Sequence, residues 1–132
     1  MKIDRALLHE IVAHAVRDAP NECCGIVAVR DGQAVAVHPT ENVAASPFRF
    51  EVDGPALFGL LESIESQGAD LGAIYHSHTR SKPYPSQTDV NFSFGWPGVE
   101  WIIVGVPKRG EPEVHSYLID GGQISEIGLE LA

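Results

Sequence analysis

Apolar residues recur along this 132-residue chain with two different periods. Leu7, Leu8, Ile11, Val12, Ala15 and Val16 share one face of a helical repeat, with Asp4 placed to cap its start and Pro20 just past its end. Residues 23–39, "CCGIVAVRDGQAVAVHP", read as two apolar-rich strands joined by the turn pair Asp31-Gly32. A short strand "FRFEV" is expected next, followed by a second helix over "DGPALFGLLESIESQG". There Leu57, Leu60, Leu61 and Ile64 form the buried face, Pro55 sits in the first turn and Gly68 closes the end. "LGAIYHSH" is an apolar strand whose C-terminal end carries two histidines, and "SQTDVNF" can begin a short helix. "WIIVGV" is the most continuous apolar run and reads as a central strand, while "EVHSYLID", Gly121-Gly122 and "QISEIGLEL" form a closing hairpin. The expected architecture is α+β: one domain, residues 1–132, with a mixed, mostly antiparallel sheet of about six strands and helices packed on it.

Composition narrows the function classes. The chain is 44% hydrophobic and 20% charged, which suits a folded domain, and nine basic against eighteen acidic residues leave a net charge of −9. A surface that acidic repels phosphate backbones, and no run of Lys or Arg offers a local exception, so no nucleic-acid partner is expected. No apolar stretch follows the opening Met-Lys-Ile-Asp-Arg and no long apolar run occurs elsewhere, so neither a signal peptide nor a membrane span is expected. The only cysteines, Cys23 and Cys24, are neighbours. A disulfide between them would be strained and close almost no loop, so two free thiols in a reducing cytoplasm are expected.

Candidate chemistry concentrates in "YHSHTRSKPYPSQTD", residues 75–89. In extended backbone His76 and His78 point to one side, as two metal-ligating imidazoles at a strand end would. Ser86 and Asp89, three apart, become neighbours if a helix starts there. With Asp89 as third ligand, a fourth tetrahedral position stays open to water, the layout of a catalytic zinc site. Ser-x-x-Asp is also an N-terminal capping pattern, and Ser86 can serve both purposes. The same residues do not fit other His-x-His enzymes. Thr79 and Arg80 stand where a metallo-β-lactamase-type site needs Asp and His, the chain is too short for an amidohydrolase barrel, and it lacks the His-x-Glu and Cys-x-x-Cys of zinc deaminases. A two-His-one-carboxylate iron centre shares the ligand set, but two amphipathic helices argue against the all-β barrel it usually occupies.

His76-Ser77-His78, seven residues, Ser86, two residues and Asp89 reproduce the motif of the JAMM (MPN-plus) metalloproteases, and the upstream "PNECCG" resembles the family's Pro-x-Glu-x-Cys-Gly segment. The resemblance spans nearly the whole chain and implies an MPN fold, cytidine-deaminase-like in plan. It implies one zinc ion per chain held by His76, His78 and Asp89, with Glu22 as general base and Ser86 as donor to the developing oxyanion. Spacing alone does not separate Glu22 from Glu41, Glu51 or Glu62, so that assignment belongs to the resemblance. Cys24 and Gly25 are read as strand packing, and His9, His14, His38 and His115 as structural or surface residues.

Thr79 replaces a proline common among relatives. The chain is also short for the added segments of eukaryotic deubiquitinases, so it resembles the minimal prokaryotic branch. That branch cleaves amide or isopeptide bonds after the C-terminal Gly-Gly of ubiquitin-like sulfur-carrier proteins, and the narrowest likeness is to members that release cysteine from such a carrier. The resemblance therefore implies a zinc metallopeptidase with a ubiquitin-like protein as its partner. The alternatives are a non-catalytic scaffold of the same fold and a DNA-repair-associated RadC-type protein. The complete motif and the negative charge respectively weigh against them. An exposed edge strand can pair two copies as a homodimer or receive the substrate's extended tail by strand addition, and the tail is the expected occupant.

Overall fold

In a computed structural model describing residues 1–132, both helical repeats form. Helix α1 (Arg5–Asp18) starts where the Asp4 carboxylate accepts the Leu7 amide at 2.8 Å. Helix α2 (Gly54–Ser66) starts where Asp53 accepts the Ala56 amide at 3.1 Å, with Pro55 in its first turn. Helix α3 (Gln87–Ser93) realises the short helix expected after the histidines. Strands β2 (Cys24–Arg30) and β3 (Gln33–Thr40) pair antiparallel around Asp31-Gly32, both with positive φ, as a tight hairpin turn requires. Strands β4 (Asp70–His78) and β5 (Glu100–Gly105) run parallel, and β6 (Glu113–Asp120) and β7 (Gln123–Ile127) form the closing hairpin.

Two further strands, β1 (Lys2–Ile3) and β8 (Glu130–Leu131), make the sheet eight-stranded rather than six, in the order β7-β6-β5-β4-β2-β3-β1-β8. Two-residue strands carry no periodicity of their own. Only their partners define them. Strands β7 and β8 lie at opposite edges, yet only Gly128 and Leu129 separate them in the chain. The edges of a flat eight-stranded sheet would stand about 34 Å apart, whereas this link spans about 11 Å, so the sheet must curl until its two edges approach.

The expected strand "FRFEV" does not form. Residues 42–51 are held instead by one side chain, Asn42. Its Nδ2 donates to the Glu22 and Arg49 carbonyls, and its Oδ1 accepts the Ala44 and Glu51 amides. A side chain that satisfies the loop backbone in this way replaces the ladder an alternating sequence would otherwise seek.

The strands' period of two divides the core into two layers. Ile11 and Ala15 of α1 pack with Val27, Ala73, Tyr75, Ile102 and Val104 on one face of the sheet. Ile26, Ile74, Trp101 and Ile103 pack on the other, beneath the Leu57, Leu60 and Leu61 face of α2. Gly25 sits opposite Tyr75 in the β2–β4 ladder, and a Cβ there would overlap the Tyr75 ring. That ring is fixed, because its hydroxyl bonds His14 Nδ1 at 2.6 Å. The "CCG" segment thus keeps glycine for close approach of a buried aromatic.

Candidate metal centre

The alternation that buries Tyr75 under α1 sends His76 and His78 to the opposite face, beside α3. Their rings meet Asp89 from α3. His76 Nε2 and His78 Nε2 lie 3.2 Å apart, and Asp89 Oδ2 is 3.1 Å from the first and 3.3 Å from the second. All three residues are buried. Tetrahedral ligands bonded at 2.0–2.1 Å would stand about 3.3–3.4 Å apart. The donor triangle therefore fits a single zinc ion.

Each donor is oriented by the chain. His78 Nδ1 donates to the Lys82 carbonyl at 2.7 Å, which leaves its Nε2 lone pair free. The His76 ring is clamped by Phe50, stacked at 4.7 Å between centroids, and by the edge of Trp101. Ser86 and Asp89 form a complete capping box: Ser86 Oγ accepts the Asp89 amide at 3.1 Å, and Asp89 Oδ2 accepts the Ser86 amide at 2.9 Å. The capping role and the placement of Asp89 against the histidines are one arrangement. Since Ser86 Oγ spends a lone pair on that amide, its own hydrogen stays free to donate into the cleft.

The register brings Glu22 to the same place. Cys24 pairs with His76 across β2 and β4, so two residues further on Glu22 comes level with His78, on the same face. Ser77, pointing the other way, ties this end of the ladder shut: its Oγ accepts the Cys23 amide at 2.8 Å and its own amide donates to the Cys23 carbonyl. Glu22 is only 5% exposed. Burial pushes its carboxyl from the ordinary 4.5 up to about 7, with His78 pulling against the shift and Asp89 adding to it. For Asp89, burial acts upward too, but the His76 and His78 rings and the Ser86 amide outweigh it and hold the carboxyl well below the usual carboxylate range. Burial lowers His78, yet Asp89, the Lys82 carbonyl and Glu22 leave it raised. One buried carboxylate is thus kept ionised while another is poised near neutrality, a separation suited to acid–base work.

Glu22, His78, Ser86 and Asp89 line one narrow cleft of about 70 Å³, walled by Phe48, Phe50 and Phe92. These are four of the five sequence-derived site residues; the fifth, His76, lies fully buried behind them against His78 and Asp89. A family model described as prokaryotic homologs of the JAB domain, Prok-JAB, matches residues 4–120. The chain belongs to this family. It is similar to the desampylase of Haloferax volcanii, 44% identical over 98 residues that cover 72% of this chain and 70% of that one. It is also similar to the CysO-cysteine peptidase of Mycobacterium tuberculosis, 32% identical over 122 residues, 91% of this chain and 83% of that one. A JAB1/MPN domain protein of Archaeoglobus fulgidus shares the fold, with a TM-score of 0.68 at 23% identity over 99% of this chain and 98% of that one.

Within this JAB domain, the other histidines stand apart from the centre. His14, on the inner face of α1, is buried between Tyr75 and Asp18, and His115 bonds Glu126 on the outer hairpin. Two residues around the centre escaped the sequence reading. Phe50, read there as part of a strand, stacks on a ligand histidine. Asn42 grips the Glu22 carbonyl and the loop carrying Phe50 together. Its only sequence signal is an Asn beside a Pro-containing loop, which is common to many turns. Asn42→Ala is expected to cost about 1–3 kcal/mol, the penalty of leaving part-buried backbone groups unpaired. It should lower kcat/KM about tenfold through a displaced Glu22, with zinc content unchanged, as misplaced catalytic groups do. Denaturant titration checks the first, and cleavage kinetics with metal analysis on the same preparation check the second. No helix here is long and apolar enough to cross a membrane.

Proposed function

We propose that this JAB domain, acting as one unit, is a zinc metallopeptidase. Its bond of choice is the amide or isopeptide bond after the C-terminal Gly-Gly of a ubiquitin-like sulfur-carrier protein. The observation that carries the reading is the buried His76–His78–Asp89 triangle with a protonatable Glu22 beside it in one narrow cleft. The relatives named desampylase and CysO-cysteine peptidase support the substrate class, and the second supports cysteine as one released group. A complete donor set argues against a scaffold.

His76, His78 and Asp89 would hold zinc, which supplies Lewis acidity that makes water a nucleophile near neutral pH and polarises the scissile carbonyl. Glu22 takes the proton of the attacking water and returns it to the departing amine. The Ser86 hydroxyl donates to the carbonyl oxygen as charge builds there, a contribution of about 10²–10³ in rate for such donors. Phe48, Phe50 and Phe92 narrow the approach, so an extended tail ending in small glycines enters more readily than a bulky one.

The amide and carbonyl of Phe50 bond nothing else in the fold, although its neighbours Arg49 and Glu51 are held by Asn42. They offer the tail a partner for strand addition at the cleft. Pairing of two copies through the free edge β7 is the other use of open backbone; it predicts a dimer in sedimentation, where the tail reading predicts a monomer. Both cysteines are free and buried, which supports a reducing compartment, and we place the protein in the cytoplasm.

The test is an intact-mass assay on sulfur-carrier proteins extended past Gly-Gly by one cysteine or a short peptide, with and without chelator. The expected result is chelator-sensitive loss of the extension, with a mass that identifies the leaving group. A zinc-loaded protein that leaves every extension intact would refute the peptidase reading.

A further inference from the structure

Only nine Lys and Arg residues occur in this chain of net charge −9, yet four of them line one open groove of about 780 Å³. Arg80 and Lys82 come from the loop after His78, and Lys108 and Arg109 from the turn after β5. The sequence holds no basic run. The fold builds the patch by ending the parallel strands β4 and β5 side by side, His78 level with Gly105. Glu111 and Glu113 are the only acidic groups on its rim, which leaves a local charge of about +2 by simple count, and Glu113 already faces His115 at 3.9 Å.

None of the four cations has a carboxylate partner, whereas Arg17 and Arg49 are paired with Asp18 and Glu51. The strand ends beside them are tied together. Val106 N donates to the His78 carbonyl at 3.0 Å, and Tyr117 Oη donates to the Pro83 carbonyl at 2.6 Å. Gly105 lets Pro83 pack against β5, where a Cβ would come within 3.0 Å of the proline ring. Cations without carboxylate partners, gathered at joined strand ends, form a surface complementary to anionic groups.

The groove is continuous with the active-site cleft. Ser81 lines both, and the Arg80 guanidinium lies 5.9 Å over the ring of Phe48, a wall of the cleft. A chain that enters the cleft from this side brings whatever follows or precedes it past these cations. The groove is about ten times the size of the cleft, too open to grip a single side chain and wide enough for part of a folded surface.

We propose that the Arg80–Lys82–Lys108–Arg109 groove is a docking surface for an acidic patch on the folded body of the protein whose tail is cut. The inference rests on the peptidase reading above and adds to it the recognition of the substrate's body. A long polyphosphate chain suits the groove less well. The acidic remainder of the molecule repels it within a Debye length of about 8–10 Å beyond the patch, whereas a compact acidic patch ends where the cations do.

The experiment compares wild type with Lys108→Glu/Arg109→Glu, two residues remote from the zinc ligands in sequence and on the far wall of the groove. Two substrates are used: an acidic ubiquitin-like carrier ending in Gly-Gly-Cys, and a short peptide with the same last residues. The expected result is a fall of about tenfold or more in kcat/KM for the carrier, mostly in KM and diminished at high salt, with peptide cleavage unchanged. Binding of the carrier by the zinc-loaded Glu22→Gln protein, with and without the two reversals, reads docking independently of catalysis. If wild type cleaves the carrier and the reversals change neither KM nor affinity, docking at this groove is wrong and the peptidase reading stands. If the carrier binds through the groove but is never cut, docking holds and the peptidase reading falls. Groove-dependent binding of a single-stranded oligonucleotide with no affinity for the carrier would overturn the proposal.

Discussion

Glu22→Gln is expected to keep zinc at one ion per chain and to lower kcat for carrier cleavage by about 10²–10⁴, the usual contribution of a general acid–base. Glutamine preserves the shape of the side chain but can neither take the proton of water nor give one to the leaving amine. The same change should stabilise the zinc-free protein above neutral pH. Burial raises the Glu22 pKa in the folded state from 4.5 to about 7, so the folded state binds the proton more tightly than the unfolded one. The penalty of a buried charge is absent below about pH 4.5, grows between 4.5 and 7, and is complete above 7. Removing the carboxylate should recover part of a ceiling of roughly 3 kcal/mol at pH 8 and almost nothing at pH 4. Thermal melts of metal-free protein at the two pH values check the stability, and single-turnover kinetics of the zinc form check the rate. A variant that turns over like wild type would remove Glu22 from the mechanism. A melting difference independent of pH would mean that its buried charge is not what strains the fold.

Asp89→Asn separates the two duties that one side chain combines. Its amide oxygen can still accept the Ser86 amide, so the capping box and α3 should survive, while the anionic ligand is gone. Zinc affinity should fall by more than about 100-fold, beyond the 10–100-fold that losing a supporting hydrogen bond costs, and cleavage should vanish at ordinary zinc concentrations. Zinc competition with a fluorescent chelator measures the first, and the far-ultraviolet spectrum checks that the helix remains. Unchanged affinity would strike Asp89 from the ligand set. Wild-type affinity should itself drop as pH falls through the raised pKa of His78, because proton and ion compete for the same Nε2.

What the sequence alone determined about this protein is its local part. His76 and His78 share a face because a strand alternates, whatever its neighbours are. Ser86 and Asp89 meet because a capping box closes within four residues, and the first helix begins after Asp4 because its carboxylate caps the Leu7 amide. Glu22 is different. Nothing in composition or spacing distinguishes it from Glu41, Glu51 or Glu62, and only the resemblance of "PNECCG" singled it out. What places it is the β2–β4 register, a pairing between segments some fifty residues apart. The tertiary structure alone decided that "FRFEV" would leave the sheet, because Asn42 answers its backbone from outside the segment. It alone added β1 and β8, whose two residues mean nothing without partners, and curled the sheet through the short β7–β8 link. The basic groove belongs there too, two pairs of cations joined by the parallel ends of β4 and β5. Periodicity and capping are interactions between near neighbours and are written in the order of residues. Register, curl and surface charge depend on which distant segments meet, and that is settled only when the whole core packs.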